Sequence, residues 1–377
     1  MKITFFSNYY NHHQKAMCEA LYRLTQGAFS FIATEELSNE RISLGWRNET
    51  APFEVHIADT SDLNIYDADV AIFGAAPRSV LNTRLKTKKN TYFYAERIYK
   101  QGYQNWKWPA RVARFWWRYG RHKQLYLLCA SGYAAADYAK HFTFQNKAYK
   151  WGYFPETKRY DLDLLMAQKK HKKILWCGRF LHWKHPDDAI IVAKRLRQEG
   201  YDFELEFIGT GKMESLLRSR IRDLNLDDCV RLLGPMDTVE VRSHMEKAGI
   251  YLFTSDFQEG WGAVLNESMN SGCAVVASHA IGSVPYLLRH EDNGLVYKSG
   301  DLDDLYKKVK YLLDNPQEQL RLGRQAYHTI VDLWNAEIAT ERFLKLTEQI
   351  QKHGSCDLYE EGPCSRAPII SNNWFKP

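Results

Sequence analysis

An α/β architecture of two doubly wound, Rossmann-like domains is what the sequence predicts, on three observations. Strand-like apolar segments alternate with helix-like segments, the alternation stops and restarts once, and 377 residues exceed the usual span of one hydrophobic core. Alternation of this kind builds parallel sheets with helices on both faces.

In the first half, strands are read at 2–7 (KITFFS), 28–34, 53–58, 69–74 (DVAIFG), 91–95 and 125–130 (LYLLCA). Helical periodicity is clearest at 14–26 and 107–122. Gly152 and Pro155, then a polar stretch ending KKHKK, mark a break at 152–172 that reads as a linker flanking a short helix. A second series follows: strand 173–178 (KILWCG), a helix opened by Pro186 and Asp187, strand 203–209, helix 212–224 and strand 230–234. Helix 238–248, strand 250–255, helix 262–271 and strand 273–278 complete it. The expected domains are 1–157 and 173–335, joined by a linker at 158–172. Residues 336–377 form a helix and tail that can return to the first domain.

Composition bounds the chemistry. Hydrophobic residues make up 45% and charged residues 25% of the chain, as in soluble globular proteins. No apolar run approaches the ~18–20 residues that cross a bilayer, and MKITFFSNYY lacks a cleavage pattern. The expected location is the cytoplasm. Cys18, Cys129, Cys177, Cys229 and Cys273 stand singly, and Cys356 and Cys364 have no second pair or His cluster to make a zinc site. No metal and no resident cofactor is expected. Residues 1–157 carry a net charge of +8 and the remainder −2, so the first half faces something anionic.

In doubly wound sheets, ligands bind beyond the carboxyl ends of the strands, which directs attention to four loops. In CGRFLHWKHPDD, Gly178, Arg179 and Lys184 follow a buried strand, and two such cations can hold a diphosphate; solvated surface cations are the alternative. Gly209 and Gly211, in FIGTGKMESLL, allow close backbone approach or merely a tight turn. Leu233, in LLGPM, is a weaker signal. The strongest is Glu259-Gly260-Trp261-Gly262-Ala263-Val264-Leu265-Asn266-Glu267, where glycines precede a helix and two carboxylates can accept hydroxyl hydrogen bonds. A helix-entry acid and an exposed helical Glu are the plainer reading.

From about 172 to 345 the chain resembles glycosyltransferase family four, of the GT-B fold. The resemblance rests on GRFLHWK, IGTGKMESLL, VRLLGPM, SDFQEGWGAVLNESMNSGCAVVAS, IGSVPYLL, NGLVYKSGD and the Trp334 helix, in order, with an E-x7-E pair at Glu259 and Glu267. It implies a retaining, metal-independent transferase whose two domains face each other across a cleft. Arg179 and Lys184 would neutralise the donor diphosphate. Glu267 would bind ribose hydroxyls, Glu259 the transferred sugar, and the backbone at 260–262 the distal phosphate or sugar. The chain departs from the pattern at Gly272-Cys273-Ala274-Val275-Val276, where relatives often read G-T-P-V-V, and at Tyr286, where an acid is common.

The resemblance is looser in the first half. Many relatives place a histidine in a loop after a mid-domain strand; here TYFYA runs into Glu96 and Arg97. Glu96 can take that catalytic place or can be a surface acid paired with Arg97. In the loop after the first strand, Asn11, His12 and His13 can touch phosphate or acceptor, or Asn11 can simply cap a helix. Segment 106–123 holds six Lys/Arg and no acid. On a helix it sets Arg111, Arg114, Arg118 and Arg121 in one stripe and Val112, Phe115, Trp116 and Tyr119 in another, as in an interfacial helix on anionic lipid; a packed domain helix is the alternative.

The expectation is a hexosyl-type transferase of surface-polysaccharide biosynthesis, peripheral on the inner face of the cell membrane. Its donor would be a nucleotide-diphosphate sugar, UDP favoured over GDP, its acceptor a lipid-linked glycan, and nucleic acid no partner. Alternatives are a nucleotide-sugar epimerase or hydrolase on the same fold, and a non-catalytic nucleotide-sugar-binding subunit.

Overall fold

The computed structural model describes residues 1–37, 49–57, 62–103 and 108–376. The chain divides into two compact units, Met1–Glu156 with Leu333–Ser371, and Thr157–Asp332 with Asn372–Pro377.

The first unit holds a sheet of β1 (Ile3–Ser7), β2 (Phe29–Ala33), β3 (Val55–Ile57), β4 (Val70–Phe73), β5 (Asn90–Ala95), β6 (Leu125–Cys129) and β7 (Ala148–Lys150). Their order is β3-β2-β1-β4-β5-β6-β7, with every neighbouring pair parallel. The apolar segments read as strands are all present. Residue 58, the last of the third predicted strand, lies outside the described residues. The short β7 escaped notice because AYK is too brief to show a period.

The second unit repeats the plan with β8 (Lys170–Cys177), β9 (Glu204–Ile208), β10 (Val230–Gly234), β11 (Ala248–Phe253), β12 (Ala274–Ser278) and β13 (Leu295–Tyr297). The order is β10-β9-β8-β11-β12-β13, again parallel throughout. Ile174, Leu205, Phe207, Ile250, Leu252 and Val276 are buried on one face of this sheet and Leu175, Ile208, Tyr251 and Val275 on the other, which is why these segments read as apolar runs. In each sheet the strand order reverses once, between β1 and β4 and between β8 and β11. Side chains following those strands stand at topological switch points, where such sheets open a crevice.

Residues 158–172, read as a linker, hold a short helix and group with the second unit. Lys158 exchanges backbone hydrogen bonds with the Asn270 side chain. Asp161 caps the helix Leu162–Ala167, and Leu165 and Met166 pack on Tyr327 and Val331. Two of the basic residues that mimic a solvated stretch, Lys169 and Lys173, are buried, while Lys170 and Lys172 are exposed. The buried Lys169 ammonium donates to the carbonyls of Met245, Ala248 and Ser271, and Lys173 pairs with Glu206 at 2.7 Å. Three carbonyl acceptors replace part of the hydration the Lys169 ammonium loses, and burial still lowers its pKa.

The helix Ala336–His353 belongs to the first unit, where Phe343 packs on Tyr92 and Trp151 and Thr347 bonds the Tyr92 hydroxyl. Beyond it, Cys364 and Ser365 bond the backbone of Lys150 beside β7. The helix expected at 107–122 is shorter: Trp108–Phe115, followed by a π-type turn, Trp116–Gly120. Residues 106 and 107 lie outside the described residues.

Candidate active site

The two strongest sequence loops follow β8 and β11, the pair that flanks the switch point of the second sheet. After β8 the chain runs through Gly178 and Arg179, a 3₁₀ turn His182–Lys184, and His185 at φ 47° before the helix Pro186–Gln198. After β11 it runs through Thr254, Ser255 and a turn closed by Glu259 N–H on the Asp256 carbonyl. The loops are bonded to each other. Thr254 donates to the Lys184 carbonyl (2.7 Å) and accepts from the buried Trp176 indole (2.9 Å), and Asp256 N–H bonds the Trp183 carbonyl.

Lys184 Nζ donates to Glu259 Oε2 at 2.6 Å, and the Ser255 hydroxyl donates to the same oxygen at 2.9 Å. Glu259 is only 8% exposed, and its pair with Lys184 is largely removed from water. Arg179 is exposed on the same loop. Glu267 lies in the helix Val264–Asn270, close enough to Cys177 at the end of β8 for its charge to hinder thiol ionisation. Burial raises the Glu267 carboxyl above its ordinary range, opposed by the nearby Arg242 charge. Arg242 also holds the helix end through the Glu267 carbonyl and the Asn270 side chain.

The glycines of the two loops have packing duties. A Cβ at Gly209 would fall 2.0 Å from the Gly178 carbonyl oxygen, and one at Gly211 2.6 Å from that of Phe180. Close approach of the β8 and β9 loops therefore explains the G-x-G, with no ligand needed. Leu233 is half-buried at the end of β10, where the Gly234 carbonyl accepts from Gly209 N–H. Gly262 sits at φ 84°, and a Cβ there would lie 2.4 Å from Phe253. Trp261 is fully buried and donates its indole N–H to Asn266 (2.9 Å), so its side chain braces the loop from inside and does not line it. Gly260 is buried beside it.

Sequence reasoning missed a group next to Lys184. His185, Asp187 and Asp188 bring ligand atoms within 4.8 Å of one another. His185 faces Asp256 at 3.4 Å, which raises its pKa, and Asp187 pairs with Arg220 at 2.9 Å. Burial pushes Asp188 up to about 6. These pairs already balance much of the charge that a cation would meet. The signal in the sequence was HPDD, read only as a helix start.

In the first unit, Asn11 caps the helix His12–Leu24 by accepting from His13 N–H (3.0 Å), the plainer of its two readings. The His12 and His13 rings lie 4.0 Å apart, burial lowers the His12 pKa, and His13 stacks on Tyr153. Glu96 is half-buried at the end of β5, where Tyr153 Oη donates to Oε1 (2.7 Å) and Lys100 Nζ to Oε2 (2.6 Å). Its partner is thus Lys100 and not Arg97. Arg97 turns inward at 4% exposure, beside Asp137 (3.5 Å) and over the Tyr133 ring, so it is no surface contact for an acceptor. Tyr153 and Lys100 were not legible as site neighbours because they are far apart in sequence or embedded in an ordinary basic segment.

The basic aromatic segment also differs from a single straight helix. Phe115 and Tyr119 pack on Tyr138, and Arg111 lies over Tyr99 and Tyr103, so Arg111 is not part of the outer face. The π-type turn breaks the 100° spacing and exposes Trp116 (54%) and Trp117 (58%) together, with Arg121 stacked on Trp117.

Gly262→Ala should destabilise the second unit by about 2–4 kcal/mol, from left-handed backbone strain and overpacking against Phe253. Chemical denaturation measures it, and a change below about 0.5 kcal/mol contradicts this loop geometry.

Residues 165–329 match the family model described as glycosyl transferases group 1. Among curated proteins, the amylovoran biosynthesis glycosyltransferase AmsK of Erwinia amylovora is 28% identical over 200 residues, 52% of this chain and 49% of AmsK. The lipopolysaccharide core biosynthesis glycosyltransferase LpsE of Rhizobium meliloti is 25% identical over 173 residues, 46% of this chain and 48% of LpsE. The chain thus spans about half the length of the curated relatives it matches. Among solved structures, Anabaena HepE in complex with UDP superposes with a TM-score of 0.67 at 12% identity, over 93% of this chain and all of HepE. TarM superposes at 0.65 and 11% identity, over 92% of this chain and 98% of TarM. The fold is that of GT-B glycosyltransferases such as HepE and TarM, and residues 165–329 are similar to the glycosyl transferases group 1 family.

Proposed function

We propose that the chain is a glycosyltransferase that moves a hexosyl group from a nucleotide-diphosphate sugar to a glycan acceptor in surface-polysaccharide assembly. The observation that carries this reading is the desolvated Lys184–Glu259 pair at the switch point of the second sheet, with Arg179 on the same loop and Glu267 within reach of the β8 end. Family-model and curated matches to glycosyltransferases, two of them polysaccharide enzymes by name, support the class. HepE was solved with UDP and with UDP-glucose, and a TarM variant with UDP, which favours a uridine donor.

In this reading Lys184 and Arg179 oppose the charge that grows on the diphosphate as the bond from the anomeric carbon to the phosphate oxygen breaks. That electron pair leaves with the nucleoside diphosphate. An acceptor hydroxyl oxygen bonds the anomeric carbon from the same face, retaining configuration, and its proton passes to the departing phosphate. Glu259, whose Oε2 is engaged by Lys184 and Ser255, directs Oε1 to sugar hydroxyls, and Glu267 takes those of the ribose. Positive side chains supply the charge that a metal ion would otherwise bring. Lys184→Ala or Glu267→Ala should weaken UDP binding in calorimetry at least tenfold, about 1.4 kcal/mol. Wild-type affinity in both variants contradicts the donor site.

The acceptor side is assigned to the first unit, at the ends of β1 and β5, where His12, His13 and Glu96 lie with Tyr153. A lipid-linked acceptor and attachment to the inner face of the cell membrane fit the exposed Trp116 and Trp117 with Arg114, Arg118 and Arg121. Replacing both tryptophans by Ala and the three arginines by Gln should abolish sedimentation with vesicles of one-third phosphatidylglycerol. Undiminished sedimentation contradicts this docking face.

A further inference from the structure

Residues 372–376 fold onto the second unit although the 39 residues before them, Leu333–Ser371, belong to the first. The segment docks by specific contacts. Phe375 is 91% removed from solvent, edge-on to the His290 ring at 5.2 Å and beside the His279 ring. The Trp374 indole N–H donates to the His279 carbonyl at 3.3 Å, and His279 Nε2 donates to the Asn372 carbonyl at 3.0 Å. Ser299 N–H donates to His279 Nδ1 at 3.0 Å, which fixes the neutral tautomer with its proton on Nε2. His279 is thereby held by backbone on both ring nitrogens.

What His279 touches next is the loop of Glu259. Its ring meets Phe257 edge-on at 5.5 Å. The turn it opens, 279–283, supports the same loop through its backbone: Gly282 N–H donates to the Glu259 carbonyl and Ser283 N–H to the Trp261 carbonyl. A continuous path of contacts therefore runs from Trp374 and Phe375 through His279 to Phe257, Glu259 and Trp261. Every link lies within the second unit. The large cluster of aliphatic and aromatic side chains around that unit's sheet includes neither Trp374 nor Phe375, so removing the two rings deletes none of its members.

We infer that Trp374 and Phe375 are positioning residues for the Glu259 loop, clamping His279 so that the turn 279–283 holds the Glu259 and Trp261 carbonyls in place. The consequence for binding rests on the donor reading above; the consequence for loop order does not. Hydrogen exchange on the full-length chain compares wild type with the Trp374→Ala, Phe375→Ala double variant. Amides of 256–263 and 279–283 should exchange about tenfold faster in the variant while those of Leu205–Ile208 in β9 keep their protection. Unchanged exchange at 256–263 overturns the proposal, and so does uniform acceleration across the second unit, which marks general structural support. The single variant Phe375→Tyr, which keeps the Trp374 indole donor and a ring against His290, should retain slow exchange; fast exchange there also counts against the clamp. In calorimetry with UDP, the Ala double variant should lose at least threefold in affinity. A wild-type chain that binds no UDP contradicts the donor reading alone, because the exchange experiment still decides the clamp.

Discussion

Removing a carboxylate from water costs several kcal/mol unless a cation and hydrogen-bond donors replace the lost solvation. Glu259 meets that cost with Lys184 and Ser255 on one oxygen. The requirement extends outward. Lys184 must arrive from the β8 loop while Glu259 arrives from the β11 loop, so the loops are tied by Thr254 on the Lys184 carbonyl and by Asp256 on that of Trp183. Trp176 inside β8 bonds Thr254, which connects the pair to the packed core. Losing either charge would strand the other in a low-dielectric site.

The sheet determines where this happens. A parallel order of β10-β9-β8-β11-β12-β13 reverses between β8 and β11, and only there do two adjacent loops diverge to opposite faces. The first unit has the same reversal between β1 and β4; the loop after β1 carries a capping Asn11 and the adjacent His12 and His13 rings, and Glu96, after the neighbouring β5, is held on both oxygens. One topology thus presents a desolvated Lys184–Glu259 pair in one unit, and histidine and tyrosine rings beside a Lys100–Glu96 pair in the other.

Much of this was legible in the sequence. Buried parallel strands read as apolar runs, and loops at their carboxyl ends are where charged residues interrupt those runs; Arg179, Lys184, Glu259 and Glu267 stood out for that reason. What could not be read was partnership. Nothing local says that Lys169 is buried among three carbonyls, so KKHKK looked solvated. Nothing local turns Arg97 inward to Asp137 or sends Glu96 to Lys100. A helical wheel assumes 100° per residue, and a π-type turn at Trp116–Gly120 invalidates it for the very residues that decide which ring faces outward. The G-x-G at Gly209 and Gly211 was visible, but its cause, the backbone of the β8 loop, was not.

The central claim is that Lys184 and Glu259 act as one desolvated unit that organises the site. A double-mutant cycle of Lys184→Met and Glu259→Gln, read by chemical denaturation of the second unit's transition, tests it most directly. Each single change should be destabilising, and the double variant should be more stable than the sum predicts by at least about 1.5 kcal/mol, the coupling of a buried pair. Additivity within about 0.5 kcal/mol would mean that the two groups are independent, and the account of the site would fail.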